Sequence, residues 1–301
     1  MSDRFAIGID LGGTRIKGAS FDLESGEMLA MDTRLTDDGR TVGETPAWAV
    51  GVRDLVEALE KLLPNPGAAV GIAAPGLADP EGAFIRFMPG RLHGLQNFSW
   101  SEFLEREDVP VLNDAHAALM GEIWQGAAKG KKDVILLTIG TGVGGAIVSG
   151  GRLLHGHLGR AGHLGHLTID YKGKPDICNC PGSIENAIGN YTIRERSEGR
   201  FSSTRDVLDA IETGDAEAGR VWSESIRALG AAIASLVNVL DPEVVLIGGG
   251  ISEADHLLFD PLQEALDEFE WRPDNQKVTI RKAELGEWAG TYGAAWNAIQ
   301  E

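Results

Sequence analysis

Three glycine turns that follow β-rich runs are the segments best suited to chemistry in this 301-residue chain. Glycine has no Cβ, so the N–H groups of such a turn can converge on phosphate oxygens with the positive ends of their dipoles. Asp10-Leu11-Gly12-Gly13-Thr14 adds a carboxylate and a hydroxyl, Gly140 to Gly145 adds Thr141 beside Gly142 and Gly144, and Gly248-Gly249-Gly250 precedes a helix. Any one of them alone reads first as a tight turn, whereas the three together point to a nucleotide. The spacing is neither that of a Walker loop nor that of a dinucleotide fingerprint.

Asn113-Asp114 ends a strand and begins a helical run, where a carboxylate at a strand's C-terminal edge could accept a proton. Helix capping explains the same pair equally well. His155, His157, His163 and His166 crowd one segment, followed by Cys178-Asn179-Cys180 and then Glu185. A structural zinc site wants four ligands. Cys178, Cys180 and one histidine such as His166 supply three, with the fourth open among His155, His157, His163 and Asp176. A cluster of solvated histidines and buried thiols is the alternative.

These segments need elements to hold them. Arg4 to Asp10 and Arg15 to Asp22 read as a hairpin across the first glycine turn, with a third strand near Glu27 to Thr33. Pro46 to Leu63 has helical spacing, Ala69 to Ala74 and Val109 to Leu112 are short strands, and Ala115 to Gly126 is helical. Strand, glycine turn and strand recur at Asp133 to Ser149, a weak internal repeat that suggests two similar lobes facing each other across a cleft. Trp222, Ile226, Leu229, Ile233, Leu236 and Leu240 mark the core stripe of one long helix. Val244 to Ile247 is a buried strand before the third turn, with a helix from about Glu253, and Glu287 to Ile299 forms a last helix. Alternation of this kind means α/β. The hinge is expected near Asp114, with the last helix packing back on the first lobe.

Composition sets the limits. The hydrophobic fraction of 43% and charged fraction of 24% exclude a disordered, collagenous or coiled-coil chain. A net charge of −18 disfavours nucleic acid and anionic membrane partners. Two cysteines so close together imply no oxidising compartment, and Phe5 to Ile9 is too short for a signal or spanning segment, so a cytoplasmic protein is expected.

In order and spacing these motifs resemble the ROK family of sugar kinases, within the actin, hexokinase and Hsp70-like superfamily, over nearly the whole chain. Asp10 to Gly18, including Lys17, resembles the first phosphate motif and Thr138 to Val148 the second. Ala74-Pro75-Gly76 resembles the Pro-Gly sugar loop, Leu112-Asn113-Asp114-Ala115 the catalytic-base motif, and Gly248-Gly249-Gly250 the adenosine motif. The resemblance implies a two-lobed actin-like ATPase (ribonuclease H-like) α/β fold with a central cleft, with a smaller lobe of residues 1–114 plus 288–301 and a larger one of 115–287. It implies transfer of a γ-phosphoryl group from Mg-ATP to a hexose, at the C6 hydroxyl, with Asp114 as general base. Gly76, Asn97, Asn113, His163, His166 and Glu185 would bind the sugar, and a homodimer is the expected assembly.

Three positions depart from the family pattern. His163 stands where the family commonly has the Glu of Glu-x-Gly-His, and a neutral imidazole offers one acceptor and one donor where a carboxylate offers several acceptors. His116 replaces the Asn or Asp usual two positions after the base. Ser183 stands in the place of the third zinc cysteine, leaving a degenerate site of His166, Cys178 and Cys180. Glucose, N-acyl hexosamines, fructose, allose and glucosides are all candidate sugars. Ile16 to Ala19 and Leu164 to Leu167 also look like polyphosphate-using glucokinases, but a polyanion needs a basic track and the net charge favours ATP. Family repressors carry a DNA-binding domain ahead of the first phosphate motif, whereas three residues precede Arg4 here. A non-catalytic sugar sensor is the remaining class, and the presence of Asp114 with all three turns favours the kinase.

Overall fold

The computed structural model describes residues 4–65 and 67–300. Strands β1 (Phe5–Leu11), β2 (Arg15–Asp22) and β3 (Met28–Leu35) come first, then helix α1 (Ala47–Glu60), strands β4 (Ala69–Ala74) and β5 (Val111–Asn113), and helix α2 (Asp114–Gln125). Strands β6 (Val134–Ile139), β7 (Val143–Ser149) and β8 (Arg152–Leu153) follow, then helices α3 (Ile184–Ile188), α4 (Thr204–Glu212) and α5 (Ala216–Leu240). Strand β9 (Val244–Gly248), helix α6 (His256–Phe269), strand β10 (Thr279–Lys282) and helix α7 (Ala289–Asn297) complete the order. The chain divides into two compact units, one of Met1–Gly130, Leu153–Ala161 and Glu284–Glu301, the other of Lys131–Arg152 and Gly162–Ala283. The division falls after α2 rather than at Asp114, because α2 packs along α7 within the first unit.

The first unit is built on the sheet β3-β2-β1-β4-β5, in which β1 and β2 form the expected hairpin and β1, β4 and β5 run parallel. Side chains alternate in size along β1. Phe5, Ile7, Ile9 and Leu11 face a core with Trp48 and Leu55 of α1, whereas Ala6, Gly8 and Asp10 lie on the opposite face. β4 repeats this, with Val70 and Ile72 toward the α1 core and Gly71 and Ala73 on the other side. The small-residue face receives α7 at backbone distance. A Cβ on Gly8 would stand 1.8 Å from the Thr291 carbonyl oxygen, and one on Gly71 would stand 2.0 Å from that of Ala294. Helix α2 lies as close, since a Cβ on Gly293 would stand 1.6 Å from the Ala117 carbonyl oxygen. Around these contacts Trp124 stacks on Trp296 with centroids 5.1 Å apart, and Phe21 meets Tyr292 at 4.5 Å.

The second unit has the sheet β8-β7-β6-β9-β10, again a hairpin beside parallel strands, so the repeat seen in the sequence corresponds to a repeated topology. Helix α5 runs through this unit with Trp222, Ile226, Leu229, Ile233 and Leu236 of the expected stripe buried, whereas Leu240, at the last turn, is only partly buried. By length and mean hydropathy of 1.2 it could cross a bilayer, yet its apolar stripe is the core of the unit. Asp215 caps its start and Asp241, left-handed at φ 44°, ends it.

Adding a methyl group at Gly293 would force two backbones apart. Gly293→Ala is expected to lower the melting temperature by roughly 5–10 °C in a thermal melt, the upper range of overpacking costs. Gly219→Ala, on α5 with nothing within 4 Å of its Cβ, leaves the melting temperature unchanged or raises it.

Candidate active site

In the first unit Asp10 and Asn113, two of the expected site residues, stand at the C-terminal ends of the parallel strands. Asp10 is paired in register with Ala73, and Ala74 with Asn113, so the ends of β1, β4 and β5 lie side by side. Asp10 projects from the small-residue face and packs against α7, where a Cβ on Gly290 would lie 3.0 Å from its carboxyl group. Burial, and secondarily the charge of Asp114, push the Asp10 carboxyl up to about 7, with Lys17 opposing them. A partly buried carboxylate with a second one beside it suits a hard cation that takes oxygen ligands, so magnesium fits Asp10.

The Asn113 side-chain oxygen accepts the N–H groups of Ala115 (3.0 Å) and His116 (3.3 Å), and its amide nitrogen donates to the Gly76 carbonyl at 2.9 Å. Capping and the link to the Gly76 turn are thus made by one residue. Gly76 holds φ 108° under the Phe87 carbonyl, a conformation and a clearance open to glycine. Asp114 follows as the first residue of α2 and is exposed, with Oδ1 accepting the Ala115 N–H at 2.8 Å. Asn97 is also exposed, in a left-handed turn at φ 60°, its N–H bonded to the Ile85 carbonyl. His116 is buried, its Nε2 is 3.1 Å from the Ala161 carbonyl oxygen, and its ring meets His155 edge-on at 5.9 Å.

The first glycine turn is fixed by Thr36, whose hydroxyl donates to the Gly12 carbonyl (2.7 Å) and whose N–H reaches the Thr14 carbonyl (3.0 Å). Thr14 and Gly13 are left exposed. Lys17 donates to the Glu287 carbonyl oxygen at 2.8 Å, so its ammonium group is held by the segment before α7.

In the second unit the other two glycine turns are neighbours, because Thr138 is paired both with Gly144 and with Gly248. A Cβ on Gly249, at φ 82°, would stand 2.4 Å from the Ile139 carbonyl oxygen. The 140–141 segment is held by the N–H groups of Asn190 and Tyr191, each 3.0 Å from the Gly140 and Thr141 carbonyls respectively. Glu185, from α3, presses its carboxylate on Gly142, where a Cβ would lie 2.3 Å from Oε2, and that oxygen accepts the Val143 N–H at 2.9 Å. Its other oxygen, Oε1, is buried with no hydrogen-bond partner among the described residues. Gly250 borders a cavity of about 350 Å³ whose walls include Thr204, Arg205 and Leu208 of α4, Ile251 and His256.

A family model for the ROK family matches residues 6–301. The chain belongs to the ROK family. It is 33% identical to a glucokinase of Halalkalibacterium halodurans, the alignment spanning 100% of this chain and 97% of that protein. Among solved structures it is similar to a ROK hexokinase from Thermus thermophilus (TM-score 0.82, 30% identity, 97% of this chain and 96% of that one). It is also similar to a ROK family glucokinase from Streptomyces griseus in complex with glucose and AMPPNP (TM-score 0.78, 27% identity, 99% and 100% of the two chains). Its fold is the actin-like ATPase fold of these ROK kinases.

The zinc set read from the sequence of this ROK chain needs correction. The donor atoms that come within 4.8 Å of one another belong to His166, Asp176 and Cys178, and Cys180 does not join them. Asp176 Oδ2 lies 2.8 Å from His166 Nδ1. This contact is a hydrogen bond, and it leaves the other ring nitrogen, Nε2, 3.5 Å from the Cys178 sulfur. Ser183 caps α3, its hydroxyl oxygen accepting the Asn186 N–H at 3.3 Å. With Cys180 apart and Ser183 in a thiol position, the cluster falls short of the four ligands of a structural zinc, so a structural zinc does not fit this donor set. Burial alone would push the Asp176 carboxyl up, but His166, the N–H groups of Cys180 and Cys178, and Ser183 hold it below the usual carboxylate range.

Sequence reasoning missed Thr36 as the support of the first turn and α4 as a wall of the cavity. It named Asp176 only as one of several possible fourth ligands. His163 begins the short turn Leu164–His166 and is half-buried.

Asp10 gives a pH signature. Its folded value, about 7, exceeds the ordinary 3.8, so the folded protein holds a proton there that the unfolded chain releases. Stability from this group is full at low pH and is lost as pH rises from about 4 to about 7. In melts without ligand, Asp10→Asn should gain on the wild type across that window, by on the order of 1 kcal/mol once partial exposure is discounted. A constant difference from pH 4 to pH 8 would contradict the assignment.

Proposed function

We propose that this ROK protein is an ATP-dependent hexose kinase that phosphorylates the C6 hydroxyl, with Asp114 as general base. The observation that carries the reading is an exposed carboxylate at the first position of α2, beside the cation-suited Asp10, in a chain similar to a glucokinase that binds glucose and AMPPNP. The sugar oxygen attacks the γ-phosphorus as its proton passes to Asp114. The bond from phosphorus to the bridging oxygen breaks, and ADP leaves. Asp10 would hold Mg²⁺, which when bound neutralises charge on the phosphates. The N–H groups of the turns at Gly12 to Thr14 and Thr141 to Gly144 would cradle phosphate oxygens, and the cavity beside Gly250 would take the nucleoside.

Glu185 Oε1, buried without a hydrogen-bond partner among the described residues, suits a sugar hydroxyl as donor. His163, His166, Asn97, Asn113 and Gly76 complete the sugar-binding set in this reading. With an imidazole in place of a carboxylate at His163, the preferred sugar is one whose hydroxyls or substituents match one acceptor and one donor. A homodimer and a cytoplasmic setting belong to the same reading.

ADP release and sugar-phosphate mass across a panel of glucose, N-acyl hexosamines, fructose, allose and glucosides test it, with Mg-ATP and with polyphosphate. Asp114→Asn should lower kcat by about 10²–10⁴-fold with a smaller change in KM. Turnover with polyphosphate alone would replace ATP as donor. Absence of turnover with either donor, while a sugar raises the melting temperature, would make the protein a sensor. Glu185→Gln should raise the sugar KM by about 10-fold or more; an equal rise for ATP would instead assign Glu185 to the phosphate turn.

A further inference from the structure

We propose that Asp176 serves in this chain as a carboxylate hub that closes the 166–183 loop without zinc and fixes His166 with its proton on Nδ1. The Asp176 side chain is fully buried and receives three donors. Oδ1 accepts the N–H groups of Cys178 (2.8 Å) and Cys180 (2.9 Å), and Oδ2 takes His166 Nδ1 at 2.8 Å. These contacts join the start of the loop to its tip, as a structural metal would.

The backbone supports the same closure. The Asp176 N–H reaches the Cys180 carbonyl at 2.9 Å and the Asn179 N–H returns to the Asp176 carbonyl at 2.9 Å, with Asn179 left-handed at φ 64°. Bridges pair Pro175 with Pro181 and Thr168 with Ser183, and the Gly182 N–H bonds the Lys174 carbonyl at 2.8 Å. A buried carboxylate with a partner on each oxygen is stable where a half-paired one is costly.

The exchange of metal for carboxylate has a chemical consequence at His166. A metal on one ring nitrogen takes its lone pair and puts the proton on the other nitrogen. A carboxylate on Nδ1 takes the proton and leaves the lone pair on Nε2, so a neutral His166 accepts at Nε2 where one bound to a metal through Nδ1 would donate. The Cys178 sulfur, 3.5 Å from Nε2, is placed to donate to it. Asp176 is therefore a positioning residue that sets the hydrogen-bond polarity of His166.

Only the link from this polarity to sugar selection rests on the kinase reading, and the first measurements do not use activity. Full-length wild-type protein, purified without added metal, is expected to contain far less than one zinc per chain by elemental analysis and to melt at the same temperature with and without a chelator. Ring ¹⁵N spectra, with His166 assigned by H166Q, are expected to show a protonated Nδ1 and an unprotonated Nε2. Stoichiometric zinc that survives dialysis, a chelator-induced drop in melting temperature, or a proton resident on Nε2 would each overturn the proposal. Asp176→Asn should shift the His166 ring signals and, given turnover, raise the sugar KM by about 10–100-fold with a smaller change in kcat. Unchanged ring signals in a folded Asp176→Asn would also overturn it, and if that variant fails to fold the wild-type measurements still decide.

Discussion

The first unit depends on backbone meeting backbone where α7 crosses β1, β4 and α2. Side chains of ordinary size would hold a helix about 10 Å from a sheet. Gly8, Gly71 and Gly293 remove that spacer, and the carbonyls of Thr291, Ala294 and Ala117 occupy the space a Cβ would fill. Because α2 is seated on α7 in this way, the start of α2 is fixed, and with it Asp114. The end of β1 is fixed by the same contact, since Gly290 lets α7 lie on the Asp10 carboxyl group. The two carboxylates whose charges interact are thus positioned by one helix.

The second unit uses the same hairpin-and-parallel-strand plan for a different purpose. Its two glycine turns lie at adjacent strand ends, and the space left by missing side chains is filled by the Ile139 backbone at Gly249 and by the Glu185 carboxylate at Gly142. Glycine here admits a carboxylate oxygen as well as a tight bend. The 166–183 loop meets its polar demands differently, through a buried acid that takes three donors from the loop itself. That arrangement suits a chain in which a serine occupies one of the thiol positions, because a serine hydroxyl is not among the usual zinc ligands.

Much of this architecture was legible along the chain. Strand, turn and strand with glycines at Gly12 and Gly142, the stripe from Trp222 to Leu236, and the capping pair Asn113-Asp114 are local patterns, and they mark elements found in place. The strand Ala69–Ala74 even has the bounds its apolar run suggested. What could not be read depends on distant partners. Nothing local at Ala117 or Gly121 says that α2 belongs with α7, so the unit boundary lies beyond α2 and not at Asp114. Cys180 looks like a ligand by spacing, but the turn at Asn179 gives its N–H, not its sulfur, to Asp176. Lys17 sits in the phosphate motif, yet its ammonium group meets a carbonyl 270 residues away.

The order in which the chain is made gives the small-residue face another meaning. Helix α7 is the layer on which the first strand rests, but its residues are synthesised about 280 positions after β1, roughly 15–60 s later at ordinary translation rates. Every strand of the second sheet emerges in that interval and can complete its own hairpin and parallel pairings. The face of β1 and β4 that waits for α7 carries Ala6, Gly8, Gly71 and Ala73. Side chains small enough to admit a helix at backbone distance are also too small to make that waiting surface strongly adhesive, so the nascent first unit can stay incomplete without becoming a nucleus for aggregation.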